Sequence, residues 1–511
     1  MFQFLQWLNG AVWGVPALVL ILGVGLYLSL RTGFVQLTLF PRAMKLFACR
    51  LRQTGSEDGT VSPFQALCTA LAATVGTGNI AGVAGAIAIG GPGSVFWMWI
   101  CAVFGMVTKY AEATLALRYR VKNGSGEFVG GPMYMIHNGM GKKWHWLAGV
   151  YSFFGVIAAF GVGNATQINA VITGVDEVIL FFGGTPGKKL DLLIGVILAM
   201  LVSLMLLGGA KRIGALAEKL VPFASVAYLI LGLGVLIVCR RQIPNAFYRI
   251  IRGAFSPGAV TGGFVGSAMM ALRTGVARGV FTNEAGMGTA SIAHASAKVD
   301  HPAEQGLMGI VEVFADTIVI CTMTALVILC SGVEIPYGTD PGAALTTQAF
   351  AGVYGGWVSV FLAAALCCFA FATVLGWGLY GIRCAEFLFG TGAVRVFALL
   401  QAAVVVLGAV LETGTVWLLS EIVNGLMAIP NLITLAVLSP ELVRLTNEYR
   451  SKHGRIAADG GTYENIHQRK PVRTVSYAEI PSPGGGGKKE GQDHLSSEYR
   501  SAGPGNAPGL L

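Results

Sequence analysis

The chain has 511 residues, of which 54% are hydrophobic and only 12% charged, with a mean hydropathy of +0.66 and a formal net charge of +9. A chain this apolar and weakly charged is not an ordinary soluble domain; the composition is that of a polytopic membrane protein. The positive balance does not point to nucleic acid, because the basic residues gather in short stretches between apolar segments, the pattern that sets membrane orientation.

Segments of about twenty apolar residues recur eleven times: 11–30, 64–90, 93–117, 146–180, 190–208, 216–238, 258–296, 303–331, 351–388, 394–411 and 414–437. The first follows MFQFLQWLNG, which lacks a basic region and a small-residue cleavage site, so a retained span is expected. Eleven spans put the termini on opposite sides. With the C-terminus inside, nineteen basic residues fall inside and six outside, which predicts an external N-terminus and a cytoplasmic C-terminus. The stretch Arg240 to Arg252 opposes this assignment unless it is an external amphipathic lid. Residues 441–511, with PSPGGGG, KKEG and SAGPGNAPG, are expected to form a cytoplasmic, disordered tail. The nine cysteines form no CxxC pair, so neither a disulfide framework nor a zinc site is indicated.

Two spans are interrupted. Thr69 to Gly85 reads TALAATVGTGNIAGVAG, placing Thr74, Gly76, Thr77, Gly78 and Asn79 at mid-depth. Backbone inside a membrane must satisfy its own hydrogen bonds unless it lines a protein-buried or aqueous cavity, so a cavity is expected there. Arg273 to His294, RTGVARGVFTNEAGMGTASIAH, is broken in the same manner. Setting aside 11–30 as an extra N-terminal span, 64–238 and 258–437 each contain five spans and each open on a broken helix. An odd number of spans per half forces an inverted repeat, the plan of many secondary transporters. Repeated pore loops are absent, as are HExxH, GxSxG and Cys/His metal spacing, so neither a channel nor an enzyme is expected, and no cofactor. The string GTGNIA fits a nucleotide fingerprint, but it follows a helical apolar run and has no βαβ context.

At the first break, amides near Thr77, Gly78 and Asn79 open a half-helix and can hold a carboxylate. Carbonyls freed at Ala72, Thr74 and Val75 are hard oxygens suited to a desolvated sodium ion. Gln167, Phe281 and Trp377 are expected to shape the substrate pocket: a glutamine amide orients a zwitterion, and the aromatics limit side-chain volume. Glycine and threonine in membrane helices also serve as plain packing contacts. Lys109 and Glu112 are expected to form a structural pair or to snorkel near the inner end of a span. Glu284 is expected to bond loose amides at the second break, with titration during coupling as the alternative. Glu312 and Asp316 form a gate or a satisfied polar face.

The run from Pro63 to Arg120, the NATQ of Asn164 to Gln167, the FTNEAGMG of Phe281 to Gly288 and the FAFATVLGW of Phe369 to Trp377 resemble the alanine/glycine:cation symporter family over roughly residues 1–445. The resemblance implies an all-α LeuT-type fold of about eleven spans and symport of alanine or glycine into the cell, coupled to sodium or, in some members, to protons. It implies a sodium site at Ala72, Val75, Ala370 and Thr373, with Val374 where relatives often carry a second hydroxyl, and Thr74 or Asn79 at a second cation site. The implied setting is a prokaryotic inner membrane, with alanine or glycine, sodium and lipid as partners, no nucleic acid, no obligate protein partner and a monomeric chain. A non-transporting amino-acid receptor on the same fold is the remaining alternative.

Overall fold

The computed structural model describes residues 2–51, 61–255, 259–261, 264–266, 268–410 and 414–458. The chain opens with α1 (Phe2–Val12), α2 (Val15–Arg31), α3 (Val35–Thr38) and α4 (Phe40–Leu51). The first broken element follows as α5 (Pro63–Thr74) and α6 (Val83–Gly90), joined through a π-turn at Gly78–Gly82. After it come α7 (Gly93–Tyr119), α8 (Pro132–Gly139), α9 (His145–Phe160), α10 (Thr166–Phe181), α11 (Lys188–Leu206), α12 (Gly209–Val238) and α13 (Ile243–Phe255). The second broken element is α14 (Ala268–Asn283) with α15 (Thr289–His294). The remainder comprises α16 (Pro302–Val313), α17 (Thr322–Ser331), α18 (Ala344–Tyr354), α19 (Val358–Phe389), α20 (Ala393–Val410), α21 (Gly414–Val437) and α22 (Ser439–Ala458). Two short antiparallel hairpins, Val121–Lys122 with Phe128–Val129 and Ala259–Thr261 with Phe264–Gly266, are the sheets among the described residues.

Nine helices among the described residues are long and apolar enough to cross a membrane, or ten when α5 and the Gly78–Gly90 half are taken as one span bent by 53°. The expected segment 258–296 is not among them. Its helix starts only at Ala268, and neither half is long enough to cross alone; together they carry Arg273, Arg278 and Glu284. The expected span 351–388 divides at Gly355, whose φ of +81° ends α18 before α19 begins. Part of the expected tail is ordered: α22 continues to Ala458, because Leu442, Leu445 and Tyr449 are buried and Glu441 pairs with Arg118 and Arg444. Residues 459–511 lie outside the described residues.

The stretch Arg240 to Arg252, which opposed the orientation assignment, is largely the amphipathic helix α13 lying on the first turns of α7. Trp97 Nε1 donates to the Ala254 carbonyl at 3.3 Å, and Phe96 stacks edge-on against Phe255.

The polar breaks are enclosed by α7, α16 and α19. Of the α19 residues, those from Phe369 to Glu386 are almost all buried, whereas α11 and α12 expose Leu, Ile and Val outward, as lipid-facing helices do. Small residues set the closest approaches. A Cβ on Gly275 of α14 would lie 2.7 Å from Trp97 Cβ and closer still to the Ser94 carbonyl of α7. Gly275→Ala is therefore expected to cost about 1–3 kcal/mol of stability through overpacking. Gly23→Ala, with nothing within 4 Å of the added methyl, is expected to be neutral or slightly stabilising. Thermal unfolding of the two purified variants checks this, and equal midpoints would overturn the packing assignment.

Candidate substrate and cation site

At the first break, Val75 is extended (φ −78°, ψ 95°), which stops α5 and frees the carbonyls of its last turn. The chain then needs a partner for the next amide, and Asn79 supplies it: its Oδ1 accepts from the Gly76 N–H at 2.9 Å. The Thr77 hydroxyl faces Gln167 Oε1 at 3.3 Å, and a Cβ on Gly76 would meet Gln167 at 3.7 Å, so the expected polar wall of α10 does reach the break. Gln167 is itself held by donating Nε2 to the Val162 carbonyl at 3.1 Å.

Thr373 is the point where α19 meets this break. Its Oγ1 lies 3.0 Å from the Ala72 carbonyl and 3.0 Å from the Phe369 carbonyl. One hydroxyl proton serves only one of them; the Phe369 carbonyl is the helical acceptor four residues back in α19, whereas the Ala72 carbonyl has lost its helical donor, because the Gly76 N–H turns to Asn79. Ala370 and Val75 are buried beside this cluster, at 0% and 1% exposure. The carbonyl placed against the hydroxyl is that of Phe369, one residue before the one the resemblance implies. Among the described residues no three His, Cys, Asp or Glu side chains converge as a metal site.

Several expected residues have other occupations. The Thr74 hydroxyl bonds back onto its own helix, 3.3 Å from Ala70 O and 3.4 Å from Leu71 O. Asn79 is spent between Gly76 and Asp316, its Nδ2 donating to Asp316 Oδ1 at 2.7 Å. Gly78 packs on the other broken helix, where an added methyl would lie 3.1 Å from Thr282 Cγ2 and 3.5 Å from Phe281 Cδ1. Phe281 and Trp377 do not share one wall: Phe281 borders a cavity near the chain's beginning, whereas Trp377 lies deep in α19 and donates Nε1 to Glu284 Oε1 at 2.8 Å.

The second break is clamped by a residue expected elsewhere. Glu112 neither snorkels nor pairs with Lys109 by a direct hydrogen bond; it is fully buried, and its Oε1 accepts from the N–H groups of Gly286 (2.9 Å) and Gly288 (3.1 Å) and from Asn431 Nδ2 (2.8 Å). Asn431 also donates to the Gly286 carbonyl at 2.9 Å. Glu284 was expected to bond those amides. Held at φ +54° in the left-handed region, it instead accepts from Trp377 and from Thr289 Oγ1 (2.6 Å). Lys109 pairs with Glu312 at 3.0 Å, and Glu312 also accepts from His294 Nε2 at 2.8 Å. Gln305 Nε2 lies 2.7 Å from His294 Nδ1, which assigns the ring proton to Nε2.

A π-turn at Phe314–Cys321, between α16 and α17, stands between the breaks. Asp316 Oδ2 accepts from Thr317 Oγ1 at 2.8 Å, Thr317 accepts from Asn283 Nδ2 at 3.1 Å, and Asn283 Oδ1 accepts from the Ala285 N–H at 3.0 Å. With Asn79, these side chains form one hydrogen-bonded chain from Gly76 to Ala285. Another π-turn, Gly161–Ala165, precedes Gln167. Single-turn π distortions frequently mark functional positions. They leave no clear composition signal, and Glu112, Asn431 and Asp316 were legible only as polar residues inside apolar spans.

Two discontinuous helices meet inside an apolar bundle, an all-α membrane fold of LeuT type. The structure is similar to a crystal structure of MhsT in complex with L-phenylalanine, with a TM-score of 0.52 and 14% identity over 76% of this chain and 99% of that one. Residues 1–459 match the sodium:alanine symporter family, and the chain belongs to that family. It is 44% identical over 461 residues to the sodium/alanine symporter AgcS of Methanococcus maripaludis, covering 88% of this chain and 98% of that one. It is 36% identical over 462 residues to a probable sodium/glutamine symporter, GlnT, of Bacillus subtilis, covering 90% and 92%. The protein is thus a membrane transporter and not an enzyme.

Glu112→Ala removes the acceptor for three buried donors at once, each costing about 1–3 kcal/mol when left unpaired. A marked loss of folded protein is expected, with Glu112→Gln, which keeps an acceptor oxygen, losing less. Size-exclusion profiles and thermal midpoints read this out; an Ala variant as stable as the parent would remove Glu112 from the clamp.

Proposed function

We propose that this protein carries alanine, glycine or both into the cell together with sodium, by alternating access around the first break. The observation that carries the reading is the convergence of the Ala72 and Phe369 carbonyls on the Thr373 hydroxyl. The Ala72 carbonyl, left without its helical donor by the break, and the Thr373 hydroxyl oxygen are fixed oxygens 3.0 Å apart, which suits a small monovalent cation that exchanges its water for fixed oxygens. Beside it, the half-helix that follows Gly76 directs its first amides and the positive end of its dipole at the break, which favours a carboxylate. Ala72, Val75, Ala370 and Thr373 then surround the cation, while Thr77, Gly78 and Gln167 face the amino acid.

Tight space supports a small substrate. A Cβ on Gly76 would lie 2.8 Å from Thr373 Oγ1, and one on Gly78 would crowd Thr282, so the walls of the break stand close to each other. Substrates differing by a methylene are separated by only about 1–3 kcal/mol in an apolar pocket, so glycine, alanine and serine overlap. The name of AgcS supports alanine, while that of GlnT marks glutamine as the competitor to test. Residues 64–238 and 258–437 are the two rocking halves, the second counting α14 and α15 together as its broken crossing beside four continuous ones, with 11–30 in addition. The excess of inner basic residues sets the N-terminus outside and the C-terminus in the cytoplasm of a prokaryotic cell.

Proton coupling has one observation in its favour. Glu112, Glu284, Glu312 and Asp316 are buried around a single ammonium, Lys109, leaving acids without a fixed counter-charge. Replacing sodium by choline at constant pH separates the readings: uptake of labelled alanine into proteoliposomes is expected to cease. Uptake that follows a pH gradient without sodium would overturn the coupling ion. Counterflow of labelled against unlabelled alanine is expected from a carrier, and its absence despite binding would leave a receptor.

Thr373→Val keeps the shape and deletes one oxygen. The sodium concentration for half-maximal uptake is expected to rise severalfold with little loss of folded protein, since an interhelical hydrogen bond in a membrane averages about 0.6 kcal/mol. An unchanged sodium dependence would remove Thr373 from the site. Gly78→Ala is not a clean test of carboxylate binding, because the added methyl also meets Thr282.

A further inference from the structure

The first break has a cavity beside it on the side of the bundle where the chain begins. A cavity of about 330 Å³ opens there between α1, α14 and the start of α21, with Trp13, Arg273, Arg278, Phe281 and Glu421 on its walls. Phe281 lines it and stands against Gly78, so the cavity and the first break share one side chain.

A line of polar contacts crosses the mouth. Arg278 of α14 donates Nη2 to Asp340 Oδ2 at 3.0 Å and places Nη1 3.7 Å from Glu421 Oε1 of α21. Asp340, in the connection between α17 and α18, rests on α6: a Cβ on Gly85 would lie 2.8 Å from its Oδ1. One guanidinium therefore ties both broken helices to α21. Glu421 is in turn held from the extra N-terminal segment, with Asn9 Nδ2 donating to its Oε2 at 2.8 Å and Trp13 Nε1 donating to its backbone carbonyl at 2.9 Å. The segment is packed hard enough to transmit position, since a Cβ on Gly425 would lie 3.2 Å from Trp13 and closer to Val12.

We infer that the N-terminal helix is the fixed arm of a lock over the substrate route: Asn9 and Trp13 position Glu421 to receive Arg278, and the Arg278 bridge to Glu421 and Asp340 closes the cavity. Glu421 and Asn9 are positioning residues, and neither needs to touch the substrate. The charge balance fits a device that opens and shuts. Two arginines and two carboxylates share the mouth, so separating Arg278 from Glu421 exposes both to water without stranding either in lipid. The side-chain relative exposure of about one-fifth at both Arg278 and Glu421, on the walls of the cavity, leaves the pair partly accessible, and a partly exposed ion pair is weak enough to break in each cycle. This assignment explains why a span outside the repeated halves packs on α21 and reaches the cavity. That the cavity is a substrate route rests on the transport reading, while the lock itself controls access to the cavity.

The experiment uses the purified full-length chain with an Ala277→Cys reporter inside the cavity, labelled by a hydrophilic maleimide and corrected for labelling of the parent's own cysteines. Asn9→Ala and Glu421→Gln are each expected to raise the reporter's labelling rate about fivefold, a shift that losing one weak contact produces in a closed-to-open ratio. Because both act through one carboxylate, the double variant is expected to label little faster than either single one. An unchanged rate in Asn9→Ala, or fully additive increases, would overturn the role of the N-terminal helix. Unchanged rates in both variants would overturn the lock. If Glu421→Gln yields too little folded protein, the Asn9→Ala rate decides alone, since Asn9 touches neither Arg278 nor Asp340. Counterflow of the parent chain is measured in parallel, so loss of the transport reading shows as absent exchange and loss of the lock as an unmoved labelling rate.

Discussion

Backbone that leaves its helix inside a membrane has no water to bond, and the interior of this protein is organised around that constraint. Each of the two breaks is answered by a dedicated side chain. Asn79 takes the Gly76 amide at the first, while Glu112 takes the Gly286 and Gly288 amides at the second. Both come with their own support, Asp316 for Asn79 and Asn431 for Glu112. The breaks are thus stable structures with fixed vectors, which lets the remaining carbonyls and amides of the first one face a ligand.

The supports are not independent of each other. Asp316 and Thr317 lie on one π-turn and join Asn79 to Asn283, so a shift of either broken helix is felt at the other through side-chain hydrogen bonds. Nearby, Lys109, Glu312, His294 and Gln305 bind α7 to α15 and α16, and Gln305 continues to the Pro63 carbonyl at the start of α5. Charge economy is strained in this region, where four buried carboxylates surround a single ammonium. In a low-dielectric interior such an excess is held by hydrogen-bond donors, by protons or by a bound cation. That connects the polar core to ion coupling whichever ion proves to be carried.

The same two broken helices extend to the mouth. Arg278 lies on α14 just before the second break, and Asp340 rests on α6 just after the first, so the bridge at the cavity and the hydrogen-bonded chain below it act on the same pair of rigid elements.

Much of this was legible without coordinates. Composition fixed the membrane class, because 54% apolar residues with 12% charge cannot be solvated as a globule. The two breaks were legible because glycine and small polar residues at mid-depth contradict a lipid-facing helix at single positions, and the motifs around them carried the family. Thr373 came from the family resemblance and not from spacing; the structure places its hydroxyl 3.0 Å from the Ala72 carbonyl. What failed was long-range. Spacing suggests that Glu112 pairs with its neighbour Lys109 or snorkels, and that Glu284 bonds the amides beside it; in the structure Lys109 turns to Glu312, Glu112 to the second break, and Glu284 to Trp377. Sequence spacing reports which residues share a helix face, whereas a buried charge takes the best partner that packing delivers, from any helix. The role of Asn431, the polar tie from Asn79 to Asp316 and the reach of Asn9 to Glu421 across 412 positions of chain were therefore decided by tertiary structure alone.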